Sequence, residues 1–172
     1  ILKNVDNNIE TPSYIKTKLE AMGINSLNAV VDILNYVMLD LGQPMHCYDF
    51  DKIKNQELNV SKATENFKFK TLNEEVEVQS GDIIISDAEK VLCLAGIIGG
   101  SETAVTKESK NILIEAAVFN EINVRLTSRR VKVSTPSSFR FERGIDIQKT
   151  LDILNECSKL IVEICGGKAD NE

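Results

Sequence analysis

The chain has 172 residues, 42% of them hydrophobic and 27% charged, which fits a soluble globular domain with a real core and excludes a disordered segment. The net charge of −6 and the absence of Trp argue against a domain that holds nucleic acid by itself on aromatic platforms. The four cysteines, Cys47, Cys93, Cys157 and Cys165, form no C-x-x-C pair and only one histidine is present, so no metal site is expected. Cysteines isolated in apolar runs read as reduced core residues of a cytoplasmic protein. No signal peptide is visible, and no apolar run is long enough to cross a membrane. The chain does not begin with Met, which suggests a single domain, residues 1–172, taken from a longer polypeptide.

In chain order, residues 1–6 read as a first strand. Thr11-Pro12 reads as a helix start, with Thr11 as the cap and Ile15, Leu19 and Met22 on one face before Gly23. A second helix is expected over residues 28–40, apolar nearly all round and so deeply buried, ended by Gly42 with Pro44 beyond it. Residues 45–50 read as a short strand. Five further short strands follow over residues 57–62, 67–71, 75–79, 82–86 and 91–95, two of them alternating strictly as half-exposed strands do. Residues 96–106 form a glycine-bearing loop.

Residues 111–119, NILIEAAVF, read as a buried central strand carrying a single carboxylate, Glu115. Ions are rarely buried without a partner. Glu115 either reaches water or an arginine at a strand end, or forms a pocket wall that receives a ligand hydroxyl or amine. A helix is expected over residues 120–132, capped by Asn120, with Ile122, Leu126 and Arg130 at helical spacing. Residues 134–144 read as irregular. Asp146 is expected to cap a last helix whose apolar face holds Ile147, Leu151, Leu154, Cys157, Ile161 and Ile164. Without regular βαβ alternation, the fold class is α+β.

Few residues point to chemistry. His46 follows the helix-stopping GQP turn and is either an acid–base group or a surface histidine. Cys47 should point to the opposite strand face, which rules against a Cys–His dyad. The loop at Gly96, Gly99 and Gly100 lacks the order of a dinucleotide fingerprint and serves either close backbone approach to a ligand or a tight turn. Arg125, Arg129, Arg130 and Lys132 form the most basic stretch, either a phosphate-binding patch or a solvated helix face paired with Glu121 and Glu142.

Four blocks in this order, NAVVDILNYVMLDLGQPMHCYDFDKI (28–53), LAGIIGGSETAVT (94–106), NILIEAAVFNE (111–121) and RRVKVSTPSSFRFERGID (129–146), resemble the editing domain of the β subunit of bacterial-type phenylalanyl-tRNA synthetase. The likeness runs over essentially the whole chain. It implies a mixed, three-layer arrangement of strands and helices. It also implies a parent enzyme of two α and two β subunits that joins phenylalanine to tRNA(Phe) with ATP and Mg2+ at a ligation site in the α subunit. No cofactor is implied for this domain, whose implied activity is hydrolysis of tyrosine wrongly esterified to tRNA(Phe). Neither DNA nor a membrane is an implied partner.

By the same resemblance, His46 of the GQP-x-H block, Gly99 of the glycine block, Glu115 and Thr135 line one pocket, with Glu115 receiving the tyrosine hydroxyl. His46 and Thr135 are then the catalytic candidates. Three positions depart from the family pattern: Pro136 and Ser137 stand where Asp and Ala are usual, and Asn25 where Arg is frequent. Ser137 and Asn25 occupy substrate-binding positions, and Pro136 is expected to remove a backbone donor. The departures leave two alternatives beside an active editing module: one that no longer edits and only supports the assembly or contacts tRNA, or a stand-alone trans-editing domain.

Overall fold

The computed structural model describes residues 1–170. Their elements in chain order are β1 (Leu2–Lys3), α1 (Ser13–Ala21), α2 (Ala29–Leu41), β2 (Met45–Asp49), β3 (Asn59–Lys62), β4 (Phe67–Lys70), β5 (Glu75–Val78), β6 (Ile83–Ser86), β7 (Val91–Leu94), β8 (Ile98–Gly99), β9 (Ile112–Ala116), α3 (Glu121–Val131), α4 (Pro136–Phe141), α5 (Thr150–Cys165) and β10 (Lys168–Ala169). Helices accompany antiparallel strands throughout, so the fold is α+β. Two compact units can be distinguished, one of residues 1–50, 105–117 and 146–170, the other of residues 51–104 and 118–145.

In the first unit the sheet order is β10-β1-β9-β2, which makes β9 an interior strand, as its apolar sequence requires. Its core joins Ile15 and Leu19 of α1, Ile33 and Val37 of α2, Ile112 of β9 and Cys157 and Ile161 of α5. Helix α2 forms where the sequence supplies both ends. The Asn28 side chain accepts from the Val31 amide at 3.0 Å, and Gly42 takes the left-handed conformation that closes the helix. Asp32 lies within this apolar helix and is fully buried. Its carboxylate accepts from Thr11 Oγ1 at 2.6 Å, Ser26 Oγ at 2.5 Å and the Leu27 amide at 2.8 Å, which offsets its lost hydration.

Three sequence expectations fail in this unit. Thr11 does not cap α1, because its hydroxyl goes to Asp32; the cap position is Pro12, without a side-chain bond. Met22 lies beyond the helix and is exposed. Helix α5 starts at Thr150, since residues 146–149 form a turn in which Asp146 accepts from the Gln148 amide at 3.0 Å through its side chain and from the Lys149 amide at 3.2 Å through its carbonyl. Ile147 and Leu151 are therefore exposed, and the buried stripe is Ile153, Cys157, Ile161 and Cys165, spaced four apart. Burial pushes the Cys47 and Cys157 thiols up to about 12, so both stay protonated and behave as small apolar side chains.

The second unit carries the sheet β3-β6-β7-β8 and the ribbon β4-β5. The five strands expected over residues 57–95 are all present, each slightly shorter than its sequence pattern. The glycine-bearing loop contains one more, β8. Asp87 shapes the β6–β7 turn: its carboxylate accepts from the amides of Lys54, Glu89 and Lys90, which outweighs its burial and holds its pKa below the usual value.

Two corrections apply here. Helix α3 begins after Asn120, whose side chain accepts from the Asn123 amide at 3.1 Å, but Ile122 and Leu126 are 64% and 62% exposed. The helix instead buries Val124, Thr127 and Ser128, because both hydroxyls have partners: Asp82 Oδ1 at 2.8 Å and the Val133 carbonyl at 2.5 Å. The stretch read as irregular contains α4. Thr135 and Ser138 form a reciprocal capping box around it, and Pro136 occupies the first helical turn.

Candidate functional site

Each unit holds one group of the residues singled out from the sequence. In the first unit, β2 and β9 pair antiparallel with His46 directly opposite Glu115 and Tyr48 opposite Leu113. Strand alternation places His46 and Tyr48 on one face, with Glu115 and Leu113 beside them, and sends Cys47 to the other. Tyr48 is fully buried, and its ring meets the imidazole of His46 edge-on with centroids 4.5 Å apart. From the position diagonal to Glu115, its phenol donates to Glu115 Oε2 at 2.6 Å. Diagonal neighbours on an antiparallel pair stand within reach of aromatic side chains.

The electrostatics follow from that environment. Burial lowers the pKa of His46 to about 4, so the imidazole is neutral near pH 7 and is a weak base. Burial raises the pKa of Glu115, and the Tyr48 hydrogen bond works against that rise. The bond is short, as a phenol–carboxylate contact is. A carboxylate offers about four lone-pair sites, so the Tyr48 bond uses only part of its accepting capacity.

Gln43 was not singled out by sequence reasoning, yet it fixes this part of the first unit. It is buried, its amide nitrogen donates to the carbonyls of Pro44 at 2.9 Å and Ala117 at 3.1 Å, and its Oε1 accepts from Thr150 Oγ1 at 3.0 Å. One side chain thereby ties the approach to β2, the exit of β9 and the start of α5. Asn25 lies exposed in the segment between α1 and α2.

In the second unit, Gly99 is buried in β8, opposite Cys93, and its carbonyl accepts from the Leu72 amide at 3.2 Å. Thr135 is the cap of α4. Its hydroxyl accepts from the Ser138 amide at 3.0 Å and donates to the Ile97 carbonyl at 3.0 Å. Pro136 removes a backbone donor as expected, but it does so in the first helical turn, where amides have no partner within the helix, so α4 loses no bond. Ser137, also in α4, is half-buried.

The basic stretch divides. Arg125, Arg129 and Lys132 are exposed, whereas Arg130 pairs with Asp82 and donates to the Glu77 carbonyl at 2.9 Å. The pairing with Glu121 and Glu142 considered for this stretch takes a different form: Glu142 pairs with Arg143 at 2.5 Å.

Tyr48 and Ser138 were missed by sequence reasoning. Alternation alone puts Tyr48 on the face of His46, but its reach to Glu115 depends on strand register, which no local pattern reveals. The capping box was readable as a hydroxyl, a proline and a second hydroxyl three positions on.

A B3/4 domain family model matches residues 1–166. The chain is 43% identical over 171 residues to the phenylalanine–tRNA ligase beta subunit of Wolbachia sp. subsp. Brugia malayi, covering 99% of this chain and 21% of that protein. It is 38% identical over 173 residues to the beta subunit of Fusobacterium nucleatum subsp. nucleatum, covering 100% and 21%. With that of Neisseria meningitidis serogroup B it shares 40% identity over 170 residues, covering 98% and 22%. The chain thus spans about a fifth of the length of these relatives.

Proposed function

Since the chain belongs to the B3/4 domain family, we propose that it is the editing module of a phenylalanine–tRNA ligase β subunit and hydrolyses tyrosine esterified to tRNA(Phe). The observation that carries this reading is the 2.6 Å bond between a phenol and the Glu115 carboxylate. The site already accepts the chemical group that distinguishes tyrosine from phenylalanine. A phenylalanine site cannot strongly reject an amino acid that merely adds a hydroxyl, so a second site with the opposite preference is needed. An acceptor set among apolar residues supplies that preference, because it gains a bond from tyrosine and none from phenylalanine.

In this reading water adds to the ester carbonyl, the esterified oxygen of the tRNA's terminal ribose leaves with a proton, and free tyrosine results. His46, neutral and weakly basic, orients groups by hydrogen bonding rather than holding a proton. Catalysis in this reading is chiefly positional. Ser137 and Asn25 are assigned to substrate binding, and Arg125, Arg129 and Lys132 to the tRNA backbone. The proposed partners are tRNA(Phe) and an α subunit, with ATP and Mg2+ used at that subunit's ligation site, in the cytoplasm. Pro136 fits its helix, so that departure gives no reason to read the module as inactive.

The test is deacylation by the full-length, assembled enzyme. Glu115→Ala should slow hydrolysis of Tyr-tRNA(Phe) by roughly 10- to 150-fold, the worth of a hydrogen bond to a charged group, and leave the slow hydrolysis of Phe-tRNA(Phe) nearly unchanged. Equal losses on both substrates, or a wild-type enzyme that does not release tyrosine, would overturn the reading.

A further inference from the structure

Building on the editing role proposed above, we infer that Tyr48 is a positioning residue for Glu115: its phenol fixes one carboxylate oxygen and so presents the remaining accepting capacity to the incoming tyrosine hydroxyl. Three observations support this. The two side chains are diagonal neighbours on the β2–β9 pair, so the backbone register itself sets their approach. The bond is 2.6 Å long and runs to Oε2. The Tyr48 ring is fully buried and braced edge-on against His46, the residue directly opposite Glu115.

A displaceable placeholder would look different. To leave Glu115 open, the Tyr48 phenol must swing away, and a fully buried ring in a paired strand has no space in which to swing. The phenol therefore stays while substrate binds. A glutamate otherwise samples several rotamers, and holding it in one before the ligand arrives removes an ordering cost from binding. His46 adds no charge to this arrangement, because burial keeps it neutral. The Tyr48 bond is also the contact that works against the rise in the Glu115 pKa, so it favours the ionised, stronger acceptor.

The test is Tyr48→Phe in the full-length enzyme, which keeps the ring and removes one oxygen, alone and combined with Glu115→Gln. Tyr48→Phe should raise KM for Tyr-tRNA(Phe) hydrolysis roughly tenfold, leave kcat within about twofold and leave Phe-tRNA(Phe) hydrolysis unchanged. In the Glu115→Gln background the same change should have less than about a twofold effect, because both act through one contact. Faster or unchanged tyrosine release in Tyr48→Phe, or effects that simply add, would overturn the positioning role while the editing role stood. If wild type shows no preference for tyrosine, the editing role fails instead. The positioning role is then read from the carbon-13 resonance of the Glu115 carboxyl: an upward shift of its titration midpoint in Tyr48→Phe supports it, and an unchanged midpoint overturns it.

Discussion

Thr11 and Asp32, 21 residues apart, meet through a 2.6 Å hydrogen bond inside the first unit. The carboxylate is fully buried, the hydroxyl nearly so, and Ser26 and the Leu27 amide complete the cluster. Asp32→Ala strands these donors and should cost about 2–4 kcal/mol. Asp32→Asn retains acceptor capacity and should cost less. Urea unfolding followed by circular dichroism measures both; a loss under about 0.5 kcal/mol for Asp32→Ala would show that water replaces the carboxylate.

Gly96 has φ +69°, and a Cβ there would stand 2.9 Å from Phe119 Cδ2 and 3.1 Å from Val124 Cγ2. Gly42 also has positive φ, +81°, but nothing lies within 4 Å of the corresponding point. Gly42→Ala should therefore cost only the left-handed strain, about 1–2 kcal/mol. Gly96→Ala adds overpacking of about 1–3 kcal/mol. Comparing the two unfolding midpoints tests whether contact or conformation dominates at Gly96.

His46 gives a pH dependence of definite sign. Its folded pKa of about 4 lies below the ordinary value of 6.5. The unfolded chain thus binds the proton first, and the contribution of the neutral imidazole is complete above pH 6.5 and is lost as pH falls to 4. The loss is on the order of 3 kcal/mol. The raised Glu115 pKa acts in the opposite sense, gaining stability as pH falls, and is common to wild type and variant. Wild type should therefore lose stability relative to His46→Gln between pH 6.5 and 4. Parallel curves would mean that the folded imidazole takes up its proton as readily as the unfolded one.

The arginines should separate by phenotype. Arg130→Ala removes the charged partner of the buried Asp82 carboxylate, which keeps its bonds from Thr127 and the Gln79 amide, and should destabilise the chain by about 1–3 kcal/mol. Arg125→Ala and Arg129→Ala alter exposed side chains and should change stability by less than about 0.5 kcal/mol. If these two touch the tRNA backbone, each should weaken binding and flatten its salt dependence by about one ion. Filter binding at several salt concentrations reads this out.

Where helix ends and strand lengths were concerned, local chemistry was legible. Asn28, Gly42 and Asn120 act as expected, and the strands of residues 57–95 and the interior position of β9 follow from their patterns. The failures share a cause: a buried polar group with a partner distant in sequence. Thr127 and Ser128 turn the buried face of α3 away from Ile122 and Leu126 because Asp82 and the Val133 carbonyl accept their hydroxyls. Thr11 leaves its cap for Asp32. Glu115 was legible as anomalous from its apolar neighbours, but its partner was not, since Tyr48 reaches it only through strand register.

The strand order of the first unit also bears on how the chain matures during synthesis. β9 lies between β1 and β2, and Cys157 and Ile161 of α5 complete the core against α1 and α2. Residues 1–50 therefore leave the ribosome without the strand that joins β1 to β2, which ends at Ala116, and without the helix that fills their core, which ends at Cys165. Such separation brings a large loop-closure penalty before its contacts form. The sheet β3-β6-β7-β8, by contrast, lies wholly within residues 59–99 and can pair as it emerges. Residues 1–50 are thus among the last of this chain to reach their final packing, and a nascent chain halted before α5 leaves the apolar face of α2 as a binding surface for chaperones.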